Sequence, residues 1–89
     1  MSHDHSHDVG PDIIKRLKRA EGHLRHVIQM IEAGRPCLDT AQQLLAVERG
    51  IVAAKRQMIH AHMDHCLGMA DDGAGPHALE DIRALAKLL

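Results

Sequence analysis

Between Pro36 and Gly68 the chain runs through 31 residues broken by no proline and by one glycine, Gly50. Leu44, Val47, Ile51, Ala54, Met58, Ile59 and Met63 recur along it at helical spacing. The stretch reads as one helix of roughly 45 Å, long for a globular protein. The whole chain has 89 residues. So apolar a rod must pack against more than its own domain offers.

Composition points the same way. There is no Phe, Tyr or Trp, so the core is built from Leu, Ile, Val, Met and Ala. Small domains bury a low fraction of their surface, and an aliphatic core of this size favours an oligomer. The lack of aromatics removes base stacking, the usual device of single-strand nucleic-acid binders. The formal net charge is −1, and nine histidines would raise it at mildly acid pH. No apolar run approaches a membrane span, and the polar N-terminus is not a signal peptide. Two cysteines without an export signal indicate a reducing cytoplasm, where thiols are more often ligands or catalysts than disulfides.

Residues 1–9, "MSHDHSHDV", read as a flexible His-rich tail, and residues 10–89 as one domain. Gly10-Pro11 opens a first helix, with Asp12 favourable to its N-terminus. Ile14, Leu17, Leu24, Val27, Ile28 and Ile31 form its apolar face, and Gly34 and Pro36 close it. "DDGAGP" (71–76) is a loop, and Pro76 opens a short third helix with Leu79, Ile82, Leu85 and Leu88 or Leu89 inward. Glu80 and Asp81 fall early in that helix and Lys87 late, as its dipole favours. There is no strand pattern and no internal repeat. The fold class is all-α, with a three-helix protomer in a helical bundle.

"HAHMDHC" (60–66) concentrates metal-ligating residue types. His62 and Cys66 are four apart and share a helix face, with His65 beside them. His60 lies on another face, and His23 and His26 read as surface residues of the first helix without partners. Two ligands make a weak site, since zinc wants four and soft metals two or three. The other thiol, Cys37, precedes His62 by 25 residues on the same helix, roughly 37 Å away. It reaches neither His62 nor Cys66 of its own chain, and a disulfide needs Cα atoms within about 7 Å. An antiparallel pair of these helices removes the difficulty. Cys37 of one chain then meets His62 and Cys66 of the other at both ends, with the twofold axis near Gly50 and Ile51. A mid-helix glycine costs about 1 kcal/mol relative to alanine, and close helix approach would be a reason to keep it.

The segments "RLKRAEGHLRHVIQMIE", "PCLDTAQQLLAVERGI" and "MIHAHMDHC" resemble the CsoR/RcnR family of bacterial metal-sensing transcriptional repressors. The resemblance covers nearly everything after the tail, and the spacing Cys-x24-His-x3-Cys matches the family's sensor site without a gap. It implies an antiparallel helical dimer assembling as a dimer of dimers, with Cys37, His62 and Cys66 as metal ligands bridging two chains. It also implies repression of operator DNA when metal-free and release on metal binding, in the cytoplasm, with metal efflux genes as the target.

Cys-His-Cys alone looks like the family's Cu(I) sensors, and two thiolates with one imidazole suit Cu(I). The resemblance places His5 where the nickel and cobalt sensors add a fourth ligand, with His3, His7 and His65 as further candidates. His5, Cys37, His62 and Cys66 look like a nickel-sensing set, and square-planar N,S ligation suits Ni(II). Two positions depart from the copper pattern: Pro36 stands where those sensors carry tyrosine, and Asp81 where they carry glutamate. Asp81 could still orient His62, because a ligating histidine commonly donates to a carboxylate. Ni(II) or Co(II) is therefore the expected effector, Cu(I) the alternative and Zn(II) a possible non-cognate metal. Ser2 and Cys66 argue against the family's formaldehyde sensors, and His62 against its persulfide sensors.

For DNA the resemblance favours the basic first helix. Lys15, Arg16, Lys18, Arg19 and Arg25 lie there, and Arg49, Lys55 and Arg56 of the second helix extend the surface. A tetramer multiplies these charges, giving salt-dependent affinity for double-stranded operator DNA with recognition of shape and backbone. An enzyme is not indicated: no carboxylate pair, nucleophile triad or phosphate loop is present, and no small organic substrate is expected. The rival of another class is a metal-buffering protein or metallochaperone, which needs thiols and histidines but no basic face.

Overall fold

The structure, a computed structural model, describes the backbone of residues 10–69 and 75–89 and the side chains of residues 10–65 and 79–89. The N-terminal tail and residues 71–74 of the expected loop lie outside the described residues. Three helices follow one another: α1 (Gly10–Glu32), α2 (Cys37–Met69) and α3 (Gly75–Ala86). No strand occurs among the described residues.

The helix ends follow local chemistry. Gly34 has φ 71°, the left-handed conformation that costs a residue with a Cβ and not glycine. It lets the Gly34 N–H donate to the Ile31 carbonyl at 3.0 Å and the Arg35 N–H to the Met30 carbonyl at 2.9 Å. These two bonds are a Schellman cap, satisfying carbonyls that the helix leaves open. Pro36 follows, and its carbonyl starts α2 by accepting from the Thr40 N–H at 3.1 Å. The buried Thr40 hydroxyl donates to the same carbonyl at 3.2 Å.

α1 and α3 both pack on α2. The core is small: Ile13, Ala20, Val27 and Met30 of α1, with Val47, Ala54 and Ile59 of α2. Most of the apolar faces read from sequence lie outside it. On α1 only Val27 of the expected six is buried, while Ile14, Leu17, Leu24, Ile28 and Ile31 are exposed. The apolar arc of α1 is wider than one neighbouring helix covers, and α2 takes the edge through Ile13, Ala20, Val27 and Met30. On α2, Val47, Ala54 and Ile59 are buried, while Leu44, Ile51 and Met58 stay 47%, 45% and 50% exposed. Those three are seven residues apart, so they form one uncovered stripe along the rod.

The 33-residue α2 spans about 50 Å. It stretches the protomer to 56 × 33 × 13 Å. The radius of gyration is 17.6 Å, against about 12 Å for a compact domain of this length. In α3 the charges sit differently from the sequence expectation. The helix begins at Gly75, so Glu80 and Asp81 fall beyond its first turn, and Arg83 rather than Lys87 is the basic residue of its last turn. No helix of the described residues is long and apolar enough to cross a membrane.

One substitution should have opposite effects at two glycines. A Cβ at Gly22, mid-α1, meets nothing within 4 Å. Gly22→Ala should stabilise by about 1 kcal/mol, raising the melting temperature by about 4–8 °C. Gly34→Ala should destabilise by about 1–2 kcal/mol, because alanine resists the left-handed cap. Thermal unfolding followed by circular dichroism reads both. Equal signs would contradict the cap geometry.

Candidate metal centre and nucleic-acid face

Cys37 is the first residue of α2, and it is a free, exposed thiol. His62 is exposed on the same helix, 25 residues further on. The unbroken helix keeps them roughly 37 Å apart. Cys66 belongs to the same helix. Its side chain lies outside the described residues, as do His3, His5 and His7. Among the described residues, no three His, Cys, Asp or Glu side chains of one chain come together to hold a metal. Cys37 and His62 therefore stand toward two ends of a rod.

The His62 end is the more developed. His62 lines an open groove of about 360 Å³ between α2 and α3 with Met58, Ile59, Asp81, Ala84 and Leu85. Helix α3 thus brings the Asp81 carboxylate to the same groove as His62, although 19 residues separate them in sequence. His65 is half-buried and His60 exposed. The candidate donors, taken together, are two thiols, an imidazole and a nearby carboxylate. They suit a soft or borderline metal better than an oxygen-seeking one.

The basic residues divide into two surfaces. Lys15, Arg16 and Arg19 are exposed on α1 and line a groove with Asp12 and with Gln57 of α2. The Gln57 side-chain oxygen is buried there without a hydrogen-bond partner. Arg16 and Arg19 also border a cleft with Ala20, His23, Ala46, Val47 and Gly50. Arg49 and Arg56 line a different groove, made of α2 residues alone, with Leu45, Glu48, Val52 and Ala53. Lys18, Arg25 and Lys55 are exposed. Arg49 and Arg56 thus line a groove distinct from the one that Lys15, Arg16 and Arg19 line.

One sequence reading changes here. His23 is not an unpartnered surface residue: it is half-buried, and its Nε2 lies 2.7 Å from Gln43 Oε1 on α2. The signal was present, since positions 16, 19 and 23 share one helix face. Gly50 has no close neighbour within its own chain, where a Cβ would meet nothing within 4 Å. Its missing side chain instead leaves room in the cleft beside Arg16, Arg19 and His23.

A family model for metal-sensitive transcriptional repressors matches residues 10–89. The chain belongs to this family, the CsoR/RcnR family. Its members are transcriptional repressors and not enzymes. The chain is 37% identical over 83 residues to the copper-sensing transcriptional repressor CsoR of Mycobacterium ulcerans (strain Agy99), covering 92% of this chain and 70% of that protein. It is 33% identical over 79 residues to the copper-sensing repressor RicR of Mycobacterium tuberculosis (strain ATCC 25618 / H37Rv), covering 84% and 82%. Against CsoR of that same strain the match is 36% identical over 70 residues and spans 59% of the relative's length. The solved structure of the nickel-responsive transcriptional regulator InrS is similar, with a TM-score of 0.81 and 28% identity. That match covers 96% of this chain and 97% of InrS. The relatives thus include sensors named for two different metals.

The separation of the thiols along α2 gives a direct test. Under mild oxidation this chain should form no intrachain Cys37–Cys66 disulfide, since the helix holds the two roughly 43 Å apart. Any disulfide-linked species on a non-reducing gel should run as a covalent multimer. A fast-migrating oxidised monomer would mean that α2 is not continuous.

Proposed function

We propose that this protein is a cytoplasmic repressor that binds operator DNA when metal-free and leaves it on binding Ni(II) or Co(II), derepressing efflux genes. The proposed sensor site joins Cys37 of one subunit to His62 and Cys66 of the partner subunit, with His5 as a fourth ligand. Asp81 would steady the His62 imidazole from the groove wall.

One observation supports this reading above the others. The uncovered stripe Leu44, Ile51 and Met58 continues at the same seven-residue spacing back to Cys37, and His62 lies one helical turn beyond Met58. Apolar surface of that kind calls for a partner helix. With Ile51 on a twofold axis, opposite Ile51 of the partner subunit, Leu44 faces Met58 of the partner subunit. In that register Cys37 falls beside His62 and Cys66 of the partner subunit. Covering the apolar stripe and completing the ligand set therefore need the same pairing. The exposed α1 stripe (Leu17, Leu24, Ile28 and Ile31) would serve the assembly of two such dimers.

Metal would then act as a tether between subunits. It would draw the two ends of paired α2 rods together and shift the α1 helices that carry Lys15, Arg16 and Arg19. Coupling of about 1–3 kcal/mol, typical for allosteric proteins, corresponds to a five- to 150-fold loss of DNA affinity.

A Cu(I) sensor is the second reading, favoured by the copper-sensing relatives. The nickel-responsive structural relative and the tail histidine favour the first. Anaerobic titration of the operator-bound apo-protein with Ni(II), Co(II) and Cu(I), read by fluorescence anisotropy, separates them. Release by Ni(II) that is lost in His5→Ala supports the nickel site, and release by Cu(I) alone reverses the choice. Cys37→Ala should keep operator affinity and lose metal-triggered release. Asp81→Asn should keep both and weaken metal binding by about 10–100-fold. A Cys37→Ala protein that still releases DNA on metal addition would rule out the intersubunit site.

A further inference from the structure

We infer that His23 is a proton-linked phosphate contact on the operator face, so that operator affinity rises as pH falls. The inference rests on the reading of Arg16 and Arg19 as DNA-binding residues and adds to them a group that changes charge. The cleft beside these residues holds about 170 Å³, a volume suited to one phosphate group. Its cationic wall is Arg16, Arg19 and His23, on successive turns of one α1 face. The opposite wall is Ala46, Val47 and Gly50 of α2. These residues carry no charge, and the missing side chain at Gly50 leaves the space open. Gln43, the hydrogen-bond partner of His23, is also neutral, and α3 contributes nothing to this lining. No carboxylate lines the cleft to neutralise a protonated ring.

Gln43 fixes which ring atom carries the function. Its side-chain oxygen accepts from the His23 Nε2–H at 2.7 Å. The neutral ring is thereby held as the Nε2–H tautomer, leaving Nδ1 with a lone pair. A lone pair offers nothing to a phosphodiester oxygen. On taking up a proton, Nδ1 becomes a donor and the ring a cation, while the bond to Gln43 is kept. The protonated ring then adds a charge-assisted hydrogen bond to those of the two guanidiniums. By linkage, phosphate in the cleft favours the protonated ring and the proton favours bound DNA. Histidine is the side chain that makes this change between about pH 5 and 8.

The test measures operator affinity of the metal-free, full-length protein at pH 8 and pH 6, at one fixed salt concentration. The chain has eight other histidines, so the quantity read is the difference between wild type and His23→Gln, which keeps a polar side chain and loses the charge change. Wild type should tighten by about tenfold more than His23→Gln between pH 8 and 6. At pH 6 the salt dependence of wild type should be steeper by about one ion per contact. His26→Gln, on the exposed side of α1, should retain the wild-type response. If Arg19→Ala leaves affinity unchanged at both pH values, the operator-face reading itself fails. If Arg19→Ala weakens binding at both and His23→Gln keeps the wild-type pH response, the inference about His23 is wrong. An NMR titration in which inorganic phosphate moves the His23 ring signal as far as operator DNA does would also overturn it, assigning the cleft to free anions.

Discussion

Packing along α2 is the constraint on which the rest depends. A 33-residue helix is about 50 Å long, and this chain has only α1 and α3 to lay against it. Those two helices cover the faces through Val47, Ala54 and Ile59 and leave Leu44, Ile51 and Met58 in water. Three exposed aliphatic side chains in register along a rod are costly to leave hydrated. The exposed stripe therefore leaves a packing problem that a second rod would solve. Because the stripe ends at Cys37 on one side and His62 on the other, whatever solves the packing also decides which ligands meet.

That arrangement separates two tasks across one helix. The ligand-bearing ends of α2 are far apart, whereas the basic cleft sits midway, where Gly50 opposes Arg16, Arg19 and His23. A ligand bound at either end cannot touch the cleft that Arg16, Arg19 and His23 line. It can only change how α2 rods lie against each other and how α1 rides on them. The polar link between α1 and α2 at this level is the His23–Gln43 hydrogen bond, beside the apolar seam of Ala20, Val27 and Val47. A firmly seated seam lets a movement of α2 carry α1 with it.

The helices were legible because their punctuation is local. Gly34 and Pro36 end one helix and start the next for reasons confined to a few backbone bonds. The 31-residue run without proline made the rod visible in the same way. What covers what was less legible. Periodicity placed Ile14, Leu17 and Leu44 on apolar faces because it reports apolarity, and it cannot distinguish a partner helix from the chain's own. The proximity of Asp81 to His62 depends on how α3 folds back on α2, and no spacing rule contains that. His23 was readable as part of the Arg16 and Arg19 face, but its partner Gln43 lies 20 residues away across a helix contact. The proposed ligand set rests on residues and spacing. Whether Cys37 meets a second His62 and Cys66 is a property of paired chains, and one chain offers Cys37 and His62 at two ends of α2.

The split of the ligand set bears on the choice between a regulator and a buffer. A protein that only stores metal gains from completing its site within each chain, since every folded copy then binds. Among the described residues, no such site is complete in one chain, and Cys37 is as far from His62 as α2 allows. Binding at a divided site is conditional on assembly, and its free energy acts on the interface between subunits. That is of little use to a buffer and suits the proposed repressor, in which metal occupancy at the interface would change the relative positions of two α1 helices. The charges agree with this. Helix α1 carries five Lys and Arg against three Asp and Glu, with Arg16 and Arg19 lining a cleft opposite uncharged α2 residues, in a chain whose net charge is −1. Positive charge concentrated on one helix of a slightly acidic protein is a local surface for an anionic polymer.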